Sequence, residues 1–263
     1  MAFKQTLVNT LGAYKKKVLD AVPLFPAAFY GSKAVAQVFV NLPDRTTSYG
    51  ISNFASLYSP KTGVPCTYEI CLYDPSGQLV LKRDVKLPLH GSLSLRLQDL
   101  TTQSLPEFGM VTARIRPQST FPYVYAHMGS LRAHFYTLFQ GKDLSSVAMV
   151  HPQTLFNVPA CPDLTATSLL LIPIQKLAAV EIYQINPSAA AVPSTLSLMH
   201  EGKRLVSEAA TIPARGSRRV SWPSKNLMSY EYVTLETQGM TADNAKPLIF
   251  NQFEDGSFTA SHS

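Results

Sequence analysis

The chain has 263 residues, of which 46% are hydrophobic and 15% are charged, and its formal net charge is +6. The apolar share excludes a disordered chain, which combines low hydrophobicity with high net charge. The 19 prolines and 13 glycines argue against a bundle of long helices, and the length suits two domains of roughly 100 residues each.

The positive charge is concentrated at the start of the chain. Residues 1–34 contain five Lys and one Asp, whereas residues 158–263 contain eight basic and nine acidic side chains. A protein that binds nucleic acid by neutralising phosphates more often carries a basic face through its body. The distribution therefore argues against nucleic acid as the partner.

The first predicted element is an amphipathic helix over residues 3–22. Its apolar residues recur at spacings of three and four, and Pro23 and Pro26 then end it. The apolar stripe is expected to pack on protein, on the first β domain or on another subunit. Contact with an anionic membrane surface through the lysines is the alternative.

After about residue 35 the hydrophobic period changes from helical to two. Apolar residues alternate with polar ones in several segments, which predicts half-buried antiparallel strands with one face toward water. The apolar members of three such segments are Tyr68, Ile70, Leu72, Leu93, Leu95, Leu97, Val111, Ala113 and Ile115.

An internal repeat is the most informative feature of the sequence. Short matches recur in the same order in both halves, and the domain-sized period predicts two related units. The matched segments are Val64–Thr67 with Val192–Thr195, Gly77 with Gly202, Leu87–Ser92 with Ile212–Ser217, Val111–Thr112 with Val233–Thr234, and Phe139, Ser146 and His151 with Phe253, Ser257 and His262.

The predicted fold class is therefore all-β, with two tandem, related antiparallel β-sandwich domains of immunoglobulin-like type behind the N-terminal helix. The predicted domains are a basic helix and connector at 1–34, a first sandwich at 35–157 and a second sandwich at 158–263. A linker is predicted at about 157–167, where Pro159, Cys161 and Pro162 are expected to break any strand.

The cysteines and the hydropathy bear on the compartment. The three cysteines form no CxxC pair, and Cys66 and Cys71 face opposite sides of a predicted strand. Free thiols favour a reducing compartment, so the predicted location is cytoplasmic.

No apolar run reaches the length of a membrane span. The Ala34–Ala36 segment resembles a cleavage site, so export and peripheral membrane association remain alternatives.

Two groups of residues are candidates for binding. A stretch rich in aromatics could stack on a sugar or anchor a protein partner through Tyr123, Tyr125, Arg132 and Tyr136, although alternating aromatics are also typical of a sandwich core. The segment Arg215–Arg219 could bind an anionic group through Arg215, Arg218 and Arg219, although its place in the repeat also fits a solvated hairpin.

Histidines are the candidates for a metal site. His127, His134 and His151 lie near the end of the first repeat, and His262 ends the second at the position equivalent to His151. Imidazoles are common ligands of Zn and Cu, but the spacing fits no standard motif. The equivalence of His151 and His262 favours a shared hydrogen bond at a hairpin end.

The motifs of common enzyme classes, GxSxG, HExxH, GxxxxGK[ST] and GxGxxG, do not occur in the sequence. The predicted function is therefore a non-catalytic binding or assembly protein that presents two β-sandwich units to a protein or glycan partner, with self-association possible and no cofactor. The alternatives are a histidine-based metalloprotein or metal-dependent enzyme with Zn or Cu, and a coat or shell subunit.

Overall fold

A computed structural model describes residues 24–26, 32–54, 56, 63–116, 120–122, 131–142, 146–171, 176–227, 230–241 and 245–262. These residues form an all-β structure with no α-helix; short 3-10 turns occur at Leu97–Leu100 and Ser224–Asn226. The predicted helix at 3–22 lies outside the described residues.

The strands fall into two series along the chain. The first series is β1 Leu24–Pro26, β2 Ser32–Lys33, β3 Val35–Val40, β4 Arg45–Ser52, β5 Cys66–Tyr73, β6 Leu79–Leu87, β7 Ser92–Arg96, β8 Phe108–Arg116, β9 Thr120–Pro122, β10 Leu131–Arg132, β11 Phe135–Gly141, β12 Val147–Val150 and β13 Thr154–Leu155. The second series is β14 Cys161–Leu171, β15 Leu177–Ile185, β16 Val192–His200, β17 Lys203–Ile212, β18 Ser217–Pro223, β19 Tyr232–Met240, β20 Leu248–Phe253 and β21 Phe258–His262.

Four antiparallel sheets contain most of these strands. We name them by strand order: sheet I is β12-β11-β4-β7, sheet II is β13-β3-β8-β5-β6, sheet III is β14-β19-β16-β17 and sheet IV is β18-β15-β20-β21. When the short strands β1, β2, β9, β10 and β13 are left out, the remaining strands of each half can be numbered one to eight in chain order. Sheets II and III then both have the order 1-6-3-4, and sheets I and IV both have the order 5-2-7-8.

The turn before β7 and the turn before β18 also match in detail. His90 and Arg215 both have positive φ, 56° and 59°. The amide of the following glycine donates to a proline carbonyl in each turn, Gly91 to Pro88 and Gly216 to Pro213. A buried asparagine, Asn53 in one half and Asn186 in the other, donates to carbonyls around each turn.

Three hydrophobic clusters hold the sheets together. The first lies between sheets I and II and contains Tyr68, Ile70 and Leu72 on one face of β5. The third lies between sheets III and IV and contains Leu196, Leu198 and Trp222. The second joins the two halves through Ala36, Val38, Val40, Cys71, Tyr73, Met110, Phe139, Val150, Tyr183, Ile185, Leu248, Phe250 and Phe258.

The second cluster changes one expectation from the sequence. The alternation in β5 predicted one buried face and one face toward water, but Glu69 and Cys71 on the opposite face are also buried. Cys71 is covered because residues of sheet IV pack against this face, whereas Glu69 is surrounded by Lys82, Arg114 and Arg116 of the neighbouring strands. Alternation in a single strand cannot reveal such a second layer, since it reports only the contrast between the two faces.

The predicted linker at 157–167 is wrong over most of its length. Strand β14 begins at Cys161, includes Pro162 and continues to Leu171. It is an edge strand of sheet III, and its register shifts between Cys161 and Thr165. Proline occurs in strands chiefly at sheet edges and at bulges, where its missing N–H need not break a hydrogen bond of the ladder.

The all-β class is confirmed, but the predicted pair of tandem immunoglobulin-like sandwiches is not shown by these sheets. In an immunoglobulin constant domain the first strand lies beside the second, whereas β3 lies beside β8 and β14 lies beside β19. Among the described residues, no helix is long and apolar enough to cross a membrane.

Candidate site: a basic cleft between the halves

The structure separates the three arginines that the sequence grouped as an anion site. Arg218 points into the second half, where it is only 9% exposed and its Nε donates to Gln184 Oε1 at 2.7 Å. Arg219 pairs with the buried carboxylate of Glu181. Only Arg215 faces a cleft that a ligand could enter. The side chains of Arg218 and Arg219 diverge because successive strand residues point to opposite faces.

Glu181 belongs to a buried charge network between the halves. Arg45 of β4, with its side chain 1% exposed, donates from Nη2 to Glu181 Oε2 at 2.6 Å, and the Tyr183 hydroxyl donates to the same oxygen at 3.1 Å. The Arg45 guanidinium also lies 4.2 Å from the centre of the Phe250 ring. Burial alone would raise the pKa of Glu181, but Arg45 and Arg219 outweigh it and lower this pKa.

Arg215 lies in a cleft of about 430 Å³ at the junction of the two halves. The lining comes from β2 and the residue after it, from β8, from β13 and the segment after it, and from the turn before β18. The lining residues are Lys33, Ala34, Arg114, Leu155, Phe156, Asn157, Val158 and Arg215. Three of them are cations and none is a carboxylate, so the cleft favours an anionic group.

The backbone of both halves fixes the position of Arg215. Its amide donates to Ser188 O at 3.1 Å, and the amide of Ser217 donates to Pro75 O of the first half at 3.1 Å. A Cβ on Gly77 would lie 2.0 Å from the carbonyl oxygen of Ala214. Glycine at position 77 therefore permits this turn to approach the first half closely, which brings Arg215 to the cleft.

A buried carboxylate fixes Arg114 on the other side of the cleft. Glu69 Oε1 accepts from Arg114 Nε at 2.7 Å, and Glu69 Oε2 lies 3.0 Å from Lys82 Nζ and 3.1 Å from Arg116 Nη2. Burial would raise the pKa of Glu69, but the bonds from these three cations lower it to about 2. The carboxylate stays ionised and holds Arg114, about half of whose side chain is exposed.

Phe156 adds an aromatic surface to the cleft. Its ring lies 5.8 Å from the Arg215 guanidinium carbon and 5.5 Å from the centre of the Tyr73 ring. A ring beside three cations suits a ligand that combines an apolar face with a negative group. Lys33, Arg114 and Phe156 were missed by the sequence reasoning, because they are separated along the chain and meet only in the folded protein.

The predicted aromatic patch is only partly described. Tyr123 and Tyr125 lie outside the described residues, and Arg132 is described only as part of strand β10. Tyr136 is 39% exposed on the outer face of sheet I, opposite Gly50 of β4. A second aromatic surface, missed in the sequence, lies on sheet III, where the His200 ring lies 4.6 Å from Tyr230 and 5.1 Å from Tyr232.

The predicted histidine group is also divided. His127 lies outside the described residues. His134 stacks on Phe54 at 4.0 Å between ring centres, and burial lowers its pKa. The described part of the chain contains no group of three or more His, Cys, Asp or Glu side chains placed to hold a metal ion. His151 and His262 do meet, with Nε2 atoms 2.7 Å apart.

The class that this structure defines is an all-β protein of four antiparallel sheets with a basic cleft between its halves. No protein-family model matches the chain. No curated protein matches it either.

Solved structures give low similarity. The chain is similar to a glycosyl hydrolase family 2 member from Bacteroides cellulosilyticus, with 11% identity, 88% of this chain and 28% of that chain covered, and a TM-score of 0.21. It is also similar to a chain of the T13 particle of infectious bursal disease virus, with 11% identity, 83% of this chain and 54% of that chain covered, and a TM-score of 0.20. A chain of the Gt strain of that virus has 12% identity, with 83% of this chain and 55% of that chain covered, and a TM-score of 0.17. The chain thus spans 28% of the hydrolase and about half of the viral chains, and similarity at these scores carries no functional argument.

Proposed function

We propose that this protein is a non-catalytic binding or assembly protein, built from two related β-sandwich units, whose cleft binds an anionic glycan of its partner. The observation that carries the proposal is the convergence of Lys33, Arg114 and Arg215 on one cleft without a lining carboxylate. Duplication of one ancestral unit is supported by the shared strand order of the two halves and by their matching turns.

Binding of an anion at this cleft is favoured because its cations are preorganised, that is, held in place before the ligand arrives. Glu69 holds Arg114, and backbone bonds hold the turn that carries Arg215, so less conformational entropy is lost on binding than with free side chains. A carboxylate or sulfate can accept bidentate hydrogen bonds from a guanidinium, and Phe156 offers a face for a sugar ring. A glycan is favoured over a purely acidic peptide because the cleft combines both surfaces.

The test is calorimetric titration with a sulfated disaccharide and with its unsulfated counterpart. The wild type is expected to bind only the sulfated form, and Arg215→Ala and Lys33→Ala are each expected to weaken binding about tenfold. Lys203→Ala is the matched control, because Lys203 is an exposed cation at the β16–β17 hairpin. Equal weakening in the control, equal binding of both sugars, or preference for an acidic peptide would contradict the proposal.

A second candidate is self-association through the outer face of sheet I, and a coat or shell subunit is one form of it. Met149 is 66% exposed and Val147 55% exposed on the edge strand β12, and Leu138 lies directly opposite Met149. The neighbouring outward residues of β4 and β7 are mostly small and polar: Thr46, Ser48, Gly50, Ser52, Ser92 and Ser94. Arg96 of β7 lies on the same face, opposite Ser48, and pairs with Asp99 at 3.3 Å. Because these two charges offset each other, the face carries little net charge, and a second copy can approach it despite the net charge of +6.

Light scattering over a range of concentrations tests this candidate. Met149→Lys is expected to reduce the size of any oligomer, since it places a charge in the contact. Leu79→Lys, at an exposed leucine of β6, is the matched control and is expected to have no effect. A strict monomer at all concentrations, with no particles in electron micrographs, would eliminate this candidate.

A further inference from the structure

Two histidines from opposite halves meet on the surface of the molecule. His151 follows β12 directly, and His262 is the last residue of β21. Their Nε2 atoms are 2.7 Å apart, and the ring centres are 4.2 Å apart with an interplanar angle of 72°. The two edge strands therefore end at the same place, and each contributes one imidazole nitrogen directed at the other.

The hydrogen bonds determine which nitrogen carries a proton. His151 Nδ1 lies 3.0 Å from the carbonyl oxygen of Pro152, and a carbonyl can only accept, so His151 Nδ1 donates. In neutral His151 the Nε2 atom then has a lone pair, and it accepts from Nε2–H of His262. A ring whose Nδ1–H is held by a backbone carbonyl has the orientation that metal-ligating histidines commonly show.

The separation of the two nitrogens is close to what a metal ion requires. Metal–nitrogen bonds of about 2.0–2.1 Å at tetrahedral or right angles place two ligand nitrogens about 2.9–3.3 Å apart. The two nitrogens need to separate by only a few tenths of an ångström, and each ring must also turn so that its Nε2 lone pair points at the ion and not at the other ring. Both side chains reach the surface, where such a shift is cheap. To bind the ion through Nε2, His262 must carry its proton on Nδ1, an atom that is buried from solvent.

We propose that His151 and His262 form a two-nitrogen site for a divalent transition-metal ion, which links the ends of β12 and β21. Imidazole suits Zn, Cu and Ni. Within the part of the chain that the structure describes, no third His, Cys, Asp or Glu side chain completes a cluster, so water fills the remaining positions. The site is therefore exchangeable, and it binds Cu(II) more tightly than Ni(II) or Zn(II).

Metal binding at this place stabilises the joined state of the two halves. His151 belongs to the first half and His262 to the second, and an ion bound to both is released when either half unfolds. A ligand that binds only the folded state lowers the unfolding equilibrium constant by the factor 1 + [L]/Kd. Metal at 10 to 100 times its Kd thus lowers this constant about 10- to 100-fold.

The experiment uses the full chain with Cys161→Ser, which removes a partly exposed thiol that could bind the same ions. Zn(II), Ni(II) and Cu(II) are titrated by calorimetry, and thermal unfolding is followed with each ion and again after chelator. One equivalent is expected to bind, with Cu(II) tightest, and the melting temperature is expected to rise with metal and to fall back with chelator.

Three variants decide the assignment. His151→Gln and His262→Gln are each expected to weaken binding more than tenfold and to abolish the metal-dependent rise. His200→Gln is the matched control, because His200 is also a surface histidine whose Nδ1 lies near a backbone carbonyl, that of Tyr232. Melting without metal establishes that each variant folds. Unchanged binding in His262→Gln, equal loss in His200→Gln, or no binding by the wild type below millimolar metal would overturn the proposal.

Discussion

Two carboxylates with similar partners differ in how much their partners are exposed. Glu181 bonds Arg45, whose side chain is 1% exposed, whereas the three cations around Glu69 are each about half exposed. We expect Glu181→Gln to lower the free energy of unfolding by about 3–5 kcal/mol, because it leaves the charge of Arg45 buried without its counterion. Urea unfolding measures the loss.

Glu69→Gln is the matched variant, and its cost is expected to be clearly smaller, because water can solvate the cations that it leaves unpaired. A loss in Glu181→Gln no larger than that in Glu69→Gln would show that the Arg45 network does not hold the halves together.

The pKa of Glu69 also predicts how stability depends on pH. Its pKa is about 2 in the folded protein and about 4.3 in an unfolded chain. A lowered pKa contributes stability that is present above the unfolded value and is lost as pH falls through the folded value. We expect the wild type to be more stable than Glu69→Gln at pH 7 and the difference to shrink between about pH 5 and pH 2. A difference that stays constant over this range would contradict the assignment.

At the scale of single residues, the sequence patterns predicted which face of a strand is buried, but they did not predict which side chains form ion pairs. The inward positions Tyr68, Ile70 and Leu72 followed from a period of two, because alternation is a local property of a strand. The burial of Glu69 and Glu181 did not follow, because their cations come from other strands or from the other half. The cleft was predicted only in part for the same reason: Arg215 was a candidate, but Lys33 and Arg114 were not.

At the scale of elements, strand β14 shows where local propensity fails. Pro159, Cys161 and Pro162 indicated a break, yet Cys161–Leu171 forms an edge strand beside β19. Proline is disfavoured in the central strands of a sheet but is accepted in edge strands. The sequence alone does not indicate which strands are at the edge. The strands of residues 66–73 and 108–116, which are central in sheet II, were predicted correctly from their alternation.

The segment 3–22, predicted to be an amphipathic helix, leads to a testable prediction at the scale of elements. It lies outside the described residues, so the prediction rests on its apolar spacing alone. We expect deletion of residues 1–22 to lower the melting temperature or to reduce self-association, because burial of three apolar side chains contributes roughly 1.5–3 kcal/mol each.

Comparison of full-length and shortened protein by melting, light scattering and liposome sedimentation tests this expectation. Loss of liposome binding alone would favour a membrane surface as the partner of the segment, and no change in any of the three would refute it.

At the scale of the whole molecule, the second hydrophobic cluster makes the halves interdependent. It contains Ala36, Val38 and Val40 from the first half and Tyr183, Ile185 and Phe250 from the second, all 2% exposed or less. Separation of the halves would expose these side chains to water. The sequence predicted two units along the chain, but it did not predict this shared core, which exists only between them.

The shared core predicts one unfolding transition for both halves. Leu196→Ala removes a buried side chain of the third cluster, at a cost of about 2–5 kcal/mol. We expect this variant to reduce hydrogen-exchange protection in β5 and β8 of the first half as well as in β16, and calorimetry to show a single peak. Loss of protection confined to the second half, or two separate peaks, would show that the halves unfold independently.

The meeting of His151 and His262 has a further consequence for the origin of the molecule. The two residues hold the same place in their halves: the amide of Gly141 donates to Ser146 O and the amide of Phe253 to Ser257 O, and each histidine follows its serine by five residues. Contact between a residue and its own equivalent is the isologous contact of a twofold homodimer. The pair thus has the form expected if two separate copies once met at this point and were later fused into one chain. In such an ancestor a single histidine codon would have supplied both imidazoles.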